Sequence, residues 1–198
     1  MGSRKCCDMK VLAARIISVV AHPLILLTLL IAVPFLERDR PSGIYSILAF
    51  IGILCVPLVI LMWRFVASGQ WTTVDASAKD ERRSLIKISL GLILIAAAYF
   101  WLINRSPSML LGLVMGAVIL LIAAALSPWL KISLHLAFAS FCGLILLRVR
   151  WQFGVLVLLL VPPLVWSRLI LSRHVLSETF GGILLGATTA IAFLWLLH

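Results

Sequence analysis

"FGVLVLLLVPPLVWSRLILSRHVLSETFGGILLGATTAIAFLWLL", residues 153–197, decides the fold of this chain. Two apolar runs, 153–171 and 176–197, meet at a short polar stretch. Each is about 20 residues long, the length that carries a helix across a hydrocarbon core of roughly 30 Å, and is twice the length of a membrane strand. In lipid an unbroken helix satisfies all of its own backbone groups, so the reading is helix–break–helix. The polar residues are not spread along the runs. "WSRLILSRHVLSE" (166–178) holds two Arg, one His, one Glu and three Ser within thirteen residues.

The rest of the chain repeats this pattern. Further apolar stretches fall at about 11–36, 44–67, 87–104, 108–127 and 132–148, of which the last is the shortest. The 198 residues are 63% apolar and 12% charged, against about 25% charged in soluble domains. The expectation is an all-α, polytopic transmembrane bundle of six to seven helices forming one integral-membrane domain, 1–198. The first run is long and lacks a small-residue cleavage site, so it reads as a span and not a removed leader. The net charge of +10 sits singly or in short groups at the ends of apolar runs. That distribution suits lipid headgroups and not nucleic acid. Cys6, Cys7, Cys55 and Cys142 have neither metal-ligand nor disulfide-framework spacing. Cys6 and Cys7 read as part of an inert tail, or as lipid acceptors before the first run.

The connections are unequal. "ERDRPSG" (37–43), "RSP" (105–107) and "RVRWQ" (148–152) are simple, whereas "GQWTTVDASAKDERRS" (69–84), "SPWLK" (127–131) and "SRHVLSE" (172–178) hold most of the remaining polar residues. Seven alternating helices would place the last three on one membrane face with the N-terminus. That face carries twelve Lys or Arg and the other carries five, which makes it cytoplasmic by the positive-inside rule. Setting aside the five that could serve a site (Lys79, Arg82, Lys131, Arg168, Arg173) leaves seven against five, and the sidedness open.

The three polar loops share one chemistry. His174 and Glu178 are four apart and touch on a helix that begins near 173. A carboxylate on one ring nitrogen fixes the tautomer and raises the basicity of the other, as a nucleophile or general base requires. Arg168 meets His174 only if the chain bends between them, and its planar fork suits phosphate oxygens. Lys131, Ser133 and His135 fall at a helix start, where free N–H groups favour anions. Lys79 and Arg82 add cations from the 69–84 loop. The anion expected at a membrane surface is a phosphate.

"SRLILSRHVLSE" fits S-R-x5-H-x3-[D/E] and resembles the third signature of the type 2 phosphatidic acid phosphatase (PAP2) superfamily. "TFGGILLGA" looks like the small-residue helix that follows it. "KISLHLAFA" (131–139) is similar to the second signature, P-S-G-H. The first, K-x6-R-P, is matched only at Arg82, with Asp75 at the Lys and Arg83 at the Pro. The resemblance runs in order from about 75 to 190, within a motif-bearing core of about 69–190. It implies a PAP2/haloperoxidase-like core and a metal-independent lipid phosphatase in a bacterial cytoplasmic membrane, with no cofactor. His174 would attack phosphorus and form a phosphohistidine, Glu178 would orient it, and His135 would protonate the leaving oxygen. Arg168, Ser133 and Arg82 would hold the phosphate, with Lys79 or Lys131 replacing the cation missing at Asp75. The substrate would be a membrane lipid phosphate: polyprenyl phosphate or diphosphate, phosphatidate or phosphatidylglycerophosphate. Ile132 and Leu134 replace the Pro and Gly of the second signature, and together with Asp75 imply an altered substrate preference.

Simpler roles are expected elsewhere. Arg83 and Arg173 snorkel to headgroups; Asp80 and Glu81 are solvated or pair with Arg83 or Lys79. His22, before Pro23, serves packing or a kink. Trp63, Trp71, Trp129, Trp151 and Trp166 fit an interfacial belt. A non-catalytic lipid-phosphate binder or transporter would keep the cations but tolerate loss of His174. A metal-dependent prenyl transferase would need an aspartate-rich motif, and Asp75, Asp80 and Glu81 are too few and wrongly spaced.

Overall fold

Prolines and small residues set where the helices start, bend and touch. The computed structural model describes residues 2–36, 41–72, 78–104 and 106–197, and among these every regular element is helical. Asp75 lies outside the described residues, as do the side chains of Cys6 and Cys7.

Helices α1 (Gly2–Val20) and α2 (Pro23–Leu36) are separated at Ala21–His22. Their apolar parts, Met9–Val20 and Pro23–Pro34, are bent by 40°. Pro23 takes the first position of α2, where its missing N–H is no loss. The expected run 11–36 is therefore two helices. α3 (Pro41–Phe50) passes through a π-turn, Ile51–Cys55, into α4 (Val56–Ala67). There the Val56 N–H donates to the Ile51 carbonyl, and Pro57 has no N–H to offer the ladder, which accounts for the wider turn. α5 (Lys79–Tyr99) and α6 (Pro107–Leu126) follow, then α7 (Leu134–Val149), α8 (Trp151–Leu159), α9 (Val161–Ile170) and α10 (Leu176–Leu196). Pro162 and Pro163 open α9 and break the ladder after α8.

Among the described residues five helices are long and apolar enough to cross a membrane: Gly43–Ala67, Lys79–Ile103, Pro107–Leu126, Trp151–Ile170 and Leu176–Leu196. A sixth is added if the bent pair counts as one span. These are the helices of an integral membrane protein, and they number five or six where six to seven were expected. The difference is α7, whose 16 residues rise about 24 Å, short of a roughly 30 Å core.

The helices form two compact units, Met1–Val33 with Ala125–His198, and Pro34–Ala124. In the first, α7 is the centre: Leu136, Ala137, Phe141, Cys142 and Leu146 are fully buried beneath α8 and α10. Two glycines let α10 lie on the α7 backbone. A Cβ at Gly186 would stand 2.0 Å from the Ala137 carbonyl oxygen, and one at Gly182 would stand 2.5 Å from that of Ser133. α9 packs on α1, where the Ser167 hydroxyl donates to the Ala14 carbonyl at 2.6 Å.

In the second unit, Glu81 is buried and not solvated. Its carboxylate accepts from the Thr72 N–H (2.6 Å) and hydroxyl (3.0 Å) and from the Ala78 N–H (3.2 Å), tying Thr72 to the start of α5. Asp80 is exposed and pairs with Arg83 at 3.6 Å. Trp71 is buried and stacked on Phe65, with centroids 4.9 Å apart, so it packs internally where a belt residue was expected. Trp63, Trp129 and Trp151 are exposed.

Candidate functional site

The first unit gathers His174, Glu178, Ser133, His135, Lys131 and Arg168. It does so through three local devices. The first is the end of α9. Ser172 has φ 51°, the Arg173 N–H donates to the Arg168 carbonyl and the Ser172 N–H to that of Leu169, each at 3.0 Å. This is a Schellman turn with serine at the left-handed position, where glycine is usual. It supplies the bend between Arg168 and His174.

The second device is the start of α10. Val175 is the N-cap, and the Glu178 carboxylate at the third helical position accepts its N–H at 3.2 Å, half of a capping box. The same oxygen, Oε2, lies 2.8 Å from His174 Nδ1. A carboxylate only accepts, so Nδ1 carries the proton and Nε2 keeps its lone pair. One oxygen therefore starts the helix and selects the tautomer.

The third device joins the two signatures. The Ser133 N–H donates to the Glu178 carbonyl at 3.1 Å, and Lys131 Nζ donates to the Arg173 carbonyl at 3.4 Å. Ser133 is the N-cap of α7, yet its hydroxyl makes no cap bond. Ser133 Oγ and His135 Nε2 are both buried and have no hydrogen-bond partner among the described residues. Unpaired buried polar atoms are rare in folded proteins and mark places kept open for a function or an unseen partner. Here they stand at a helix N-terminus, which favours an anion.

The electrostatics agree. Arg168 is 1% exposed, the largest fully buried side chain described, and its Nη2 donates to the Ser18 hydroxyl at 2.5 Å. Burial pushes the His174 imidazole down to about 4; the Glu178 hydrogen bond and charge oppose this, while Lys131 and Arg168 add to it. His174 is therefore neutral near pH 7. Burial pushes the His135 imidazole well below the ordinary histidine value, and the charges of Arg168, His22 and His174 push it the same way, so protonation of this ring depends on an anion beside it.

Two neighbours come from the N-terminal segment, which motif reading did not assign to the site: Ser18 on Arg168, and His22, whose ring lies 5.2 Å from that of His135 in an edge-to-face arrangement. Neither has a local sequence signal. Arg173, expected at the headgroups, is half-buried. Lys79 is exposed and Arg82 buried, both at the start of α5 in the second unit. No group of three or more His, Cys, Asp or Glu able to hold a metal ion occurs among the described residues. No protein-family model, curated protein or solved structure matches this chain.

Proposed function

We propose that this chain is a membrane phosphatase of PAP2 type that removes phosphate from a lipid through a phosphohistidine at His174. The observation that carries the reading is the 2.8 Å contact between His174 Nδ1 and Glu178 Oε2, in a segment that also bonds Ser133. The neutral Nε2 attacks phosphorus, the N–P bond forms, and the ester or anhydride O–P bond breaks. His135 gives its proton to the leaving oxygen, and the charge of the bound phosphate favours the imidazolium form that does so. Water then attacks phosphorus, returns a proton to His135 and releases phosphate as the N–P bond breaks. Arg168, Lys131, the Ser133 hydroxyl and the N-terminus of α7 supply the positive field that phosphoryl transfer depends on. Every group used lies in the first unit.

A lipid substrate follows from the surroundings. Val175, Leu176 and Phe180 flank the His174–Glu178 pair and are 59%, 55% and 64% exposed. An acyl or prenyl tail can stay in lipid against them while its phosphate reaches the histidine. The test is phosphate release from polyprenyl phosphates and diphosphates, phosphatidate and phosphatidylglycerophosphate, with EDTA present throughout. The parent is expected to turn over at least one of them, and His174→Ala to lose about 10³-fold or more. Undiminished activity of that variant, or a parent that binds the lipids without turnover, contradicts the reading.

A further inference from the structure

The break between α1 and α2 puts a third histidine against the site. His22 is the residue before Pro23, and its Nδ1 accepts the Leu24 N–H at 3.3 Å, so its side chain caps the start of α2. That bond fixes the tautomer: Nδ1 accepts, and the proton of the neutral ring is on Nε2. The ring then stands edge-to-face on His135, centroids 5.2 Å apart and planes at 89°. His135 Nε2 is buried with no hydrogen-bond partner among the described residues. An imidazole without a bond at that nitrogen needs another contact to set its ring plane.

Capping alone does not explain the choice of residue. Asn, Asp and Ser are the good N-caps, and histidine is not among them. What histidine adds is a flat ring held rigid by the cap bond. The last turn of α1 supplies Ser18 to Arg168, four residues earlier, so the segment 18–22 touches two site residues from outside the matched signatures.

We propose that His22 is a positioning residue that holds the His135 ring in the orientation needed to protonate the leaving oxygen; this rests on the phosphatase reading above. A positioning role for the acid has a signature that a packing role lacks. It slows the first phosphoryl transfer from substrates whose leaving group needs a proton and spares that step where the leaving group departs as a stable anion.

The experiment compares His22→Asn with the parent on phosphatidate and on p-nitrophenyl phosphate, in the full-length solubilised protein. Asn keeps the cap and removes the ring. The expected result is a loss of about tenfold or more in kcat on phosphatidate, a fraction of the 10²–10⁴-fold that general acid catalysis supplies, with KM nearly unchanged. On p-nitrophenyl phosphate the first-turnover burst of nitrophenolate should stay within about twofold of the parent, because transfer of phosphate to His174 then needs no acid. Parental turnover of His22→Asn on phosphatidate, or a first-turnover loss on p-nitrophenyl phosphate equal to that on phosphatidate, overturns the proposal. His174→Ala, run alongside, separates the two levels: if it keeps its activity, the phosphatase reading fails and the role of His22 falls with it. If it is inactive while His22→Asn behaves as the parent, only the positioning role fails.

Discussion

The backbone N–H of Ser133 donates to the backbone carbonyl of Glu178 at 3.1 Å. Through that bond the start of α7 and the first turn of α10 are one structure. Its partners on either side are the groups with chemistry: His135 two residues after Ser133, and His174 on the Glu178 carboxylate.

Glu178→Gln separates orientation from tautomer. Gln keeps the length and can still accept the Val175 N–H, but its amide can donate to His174 Nδ1 and so move the ring proton to Nε2. That blocks attack. We expect turnover to fall by about 10²–10⁴-fold, the scale seen when the acid beside a catalytic histidine becomes an amide, with Tm little changed. Turnover within threefold of the parent would mean that the carboxylate does not set the tautomer.

The His174 ring should titrate near 4, not near the ordinary value of 6.5. Burial disfavours the charged form, so protonation sets in only as pH falls through about 4, and the nucleophile stays neutral at pH 7. NMR of labelled histidine, assigned by comparison with His174→Gln, reads this directly. Lys131→Met should move the midpoint upward, because Lys131 disfavours the charged ring. A midpoint near 6.5 in the parent contradicts the burial described.

Gly186→Ala should damage fold and function together. Its Cβ would meet the Ala137 carbonyl oxygen at 2.0 Å, a backbone atom that no rotamer change can move. We expect a loss of about 1–3 kcal/mol in stability and reduced turnover as α10 lifts from α7. Gly91→Ala, in α5, has nothing within 4 Å and should be neutral or stabilising by up to about 1 kcal/mol. Thermal unfolding in detergent checks both.

Ser172→Gly should stabilise. Serine at φ 51° bears a left-handed penalty of roughly 1–2 kcal/mol that glycine lacks, offset in part by glycine's greater chain entropy. The net gain expected is about 0.5–1 kcal/mol, with turnover retained. A loss of stability would show that the Ser172 side chain holds the turn in some other way.

The parts legible in sequence were the local ones. The pairing of His174 with Glu178 was legible, but not its reason: the helix begins at Leu176 and not near 173, so His174 reaches the carboxylate from before the N-cap and not along a helical face. Polar residues after an apolar run marked the bend that the Schellman turn supplies, and Pro23 marked the break in the first run. Long-range contacts were not legible. Ser18 meets Arg168, and His22 meets His135, only because α1 packs on α9 and the bend at His22 turns the ring toward α7. The burial of Glu81 was hidden because Ala78 stands at the N-cap, where Ser or Asp would have signalled a capping box. The expected six to seven spans meet the observed five or six only at six: the seventh was α7, an apolar helix but, at 16 residues, too short to cross a roughly 30 Å core.

The most direct test of the central claim is to trap the intermediate. The solubilised protein is mixed with a radiolabelled lipid phosphate, or with radiolabelled p-nitrophenyl phosphate, in EDTA, quenched in base and digested. The account predicts an acid-labile, base-stable label on the peptide that contains His174, absent from His174→Ala and accumulating in His135→Ala when the leaving group is nitrophenolate. Label on another residue, or full turnover by the parent with none trapped at His174 under the same quench, would contradict it.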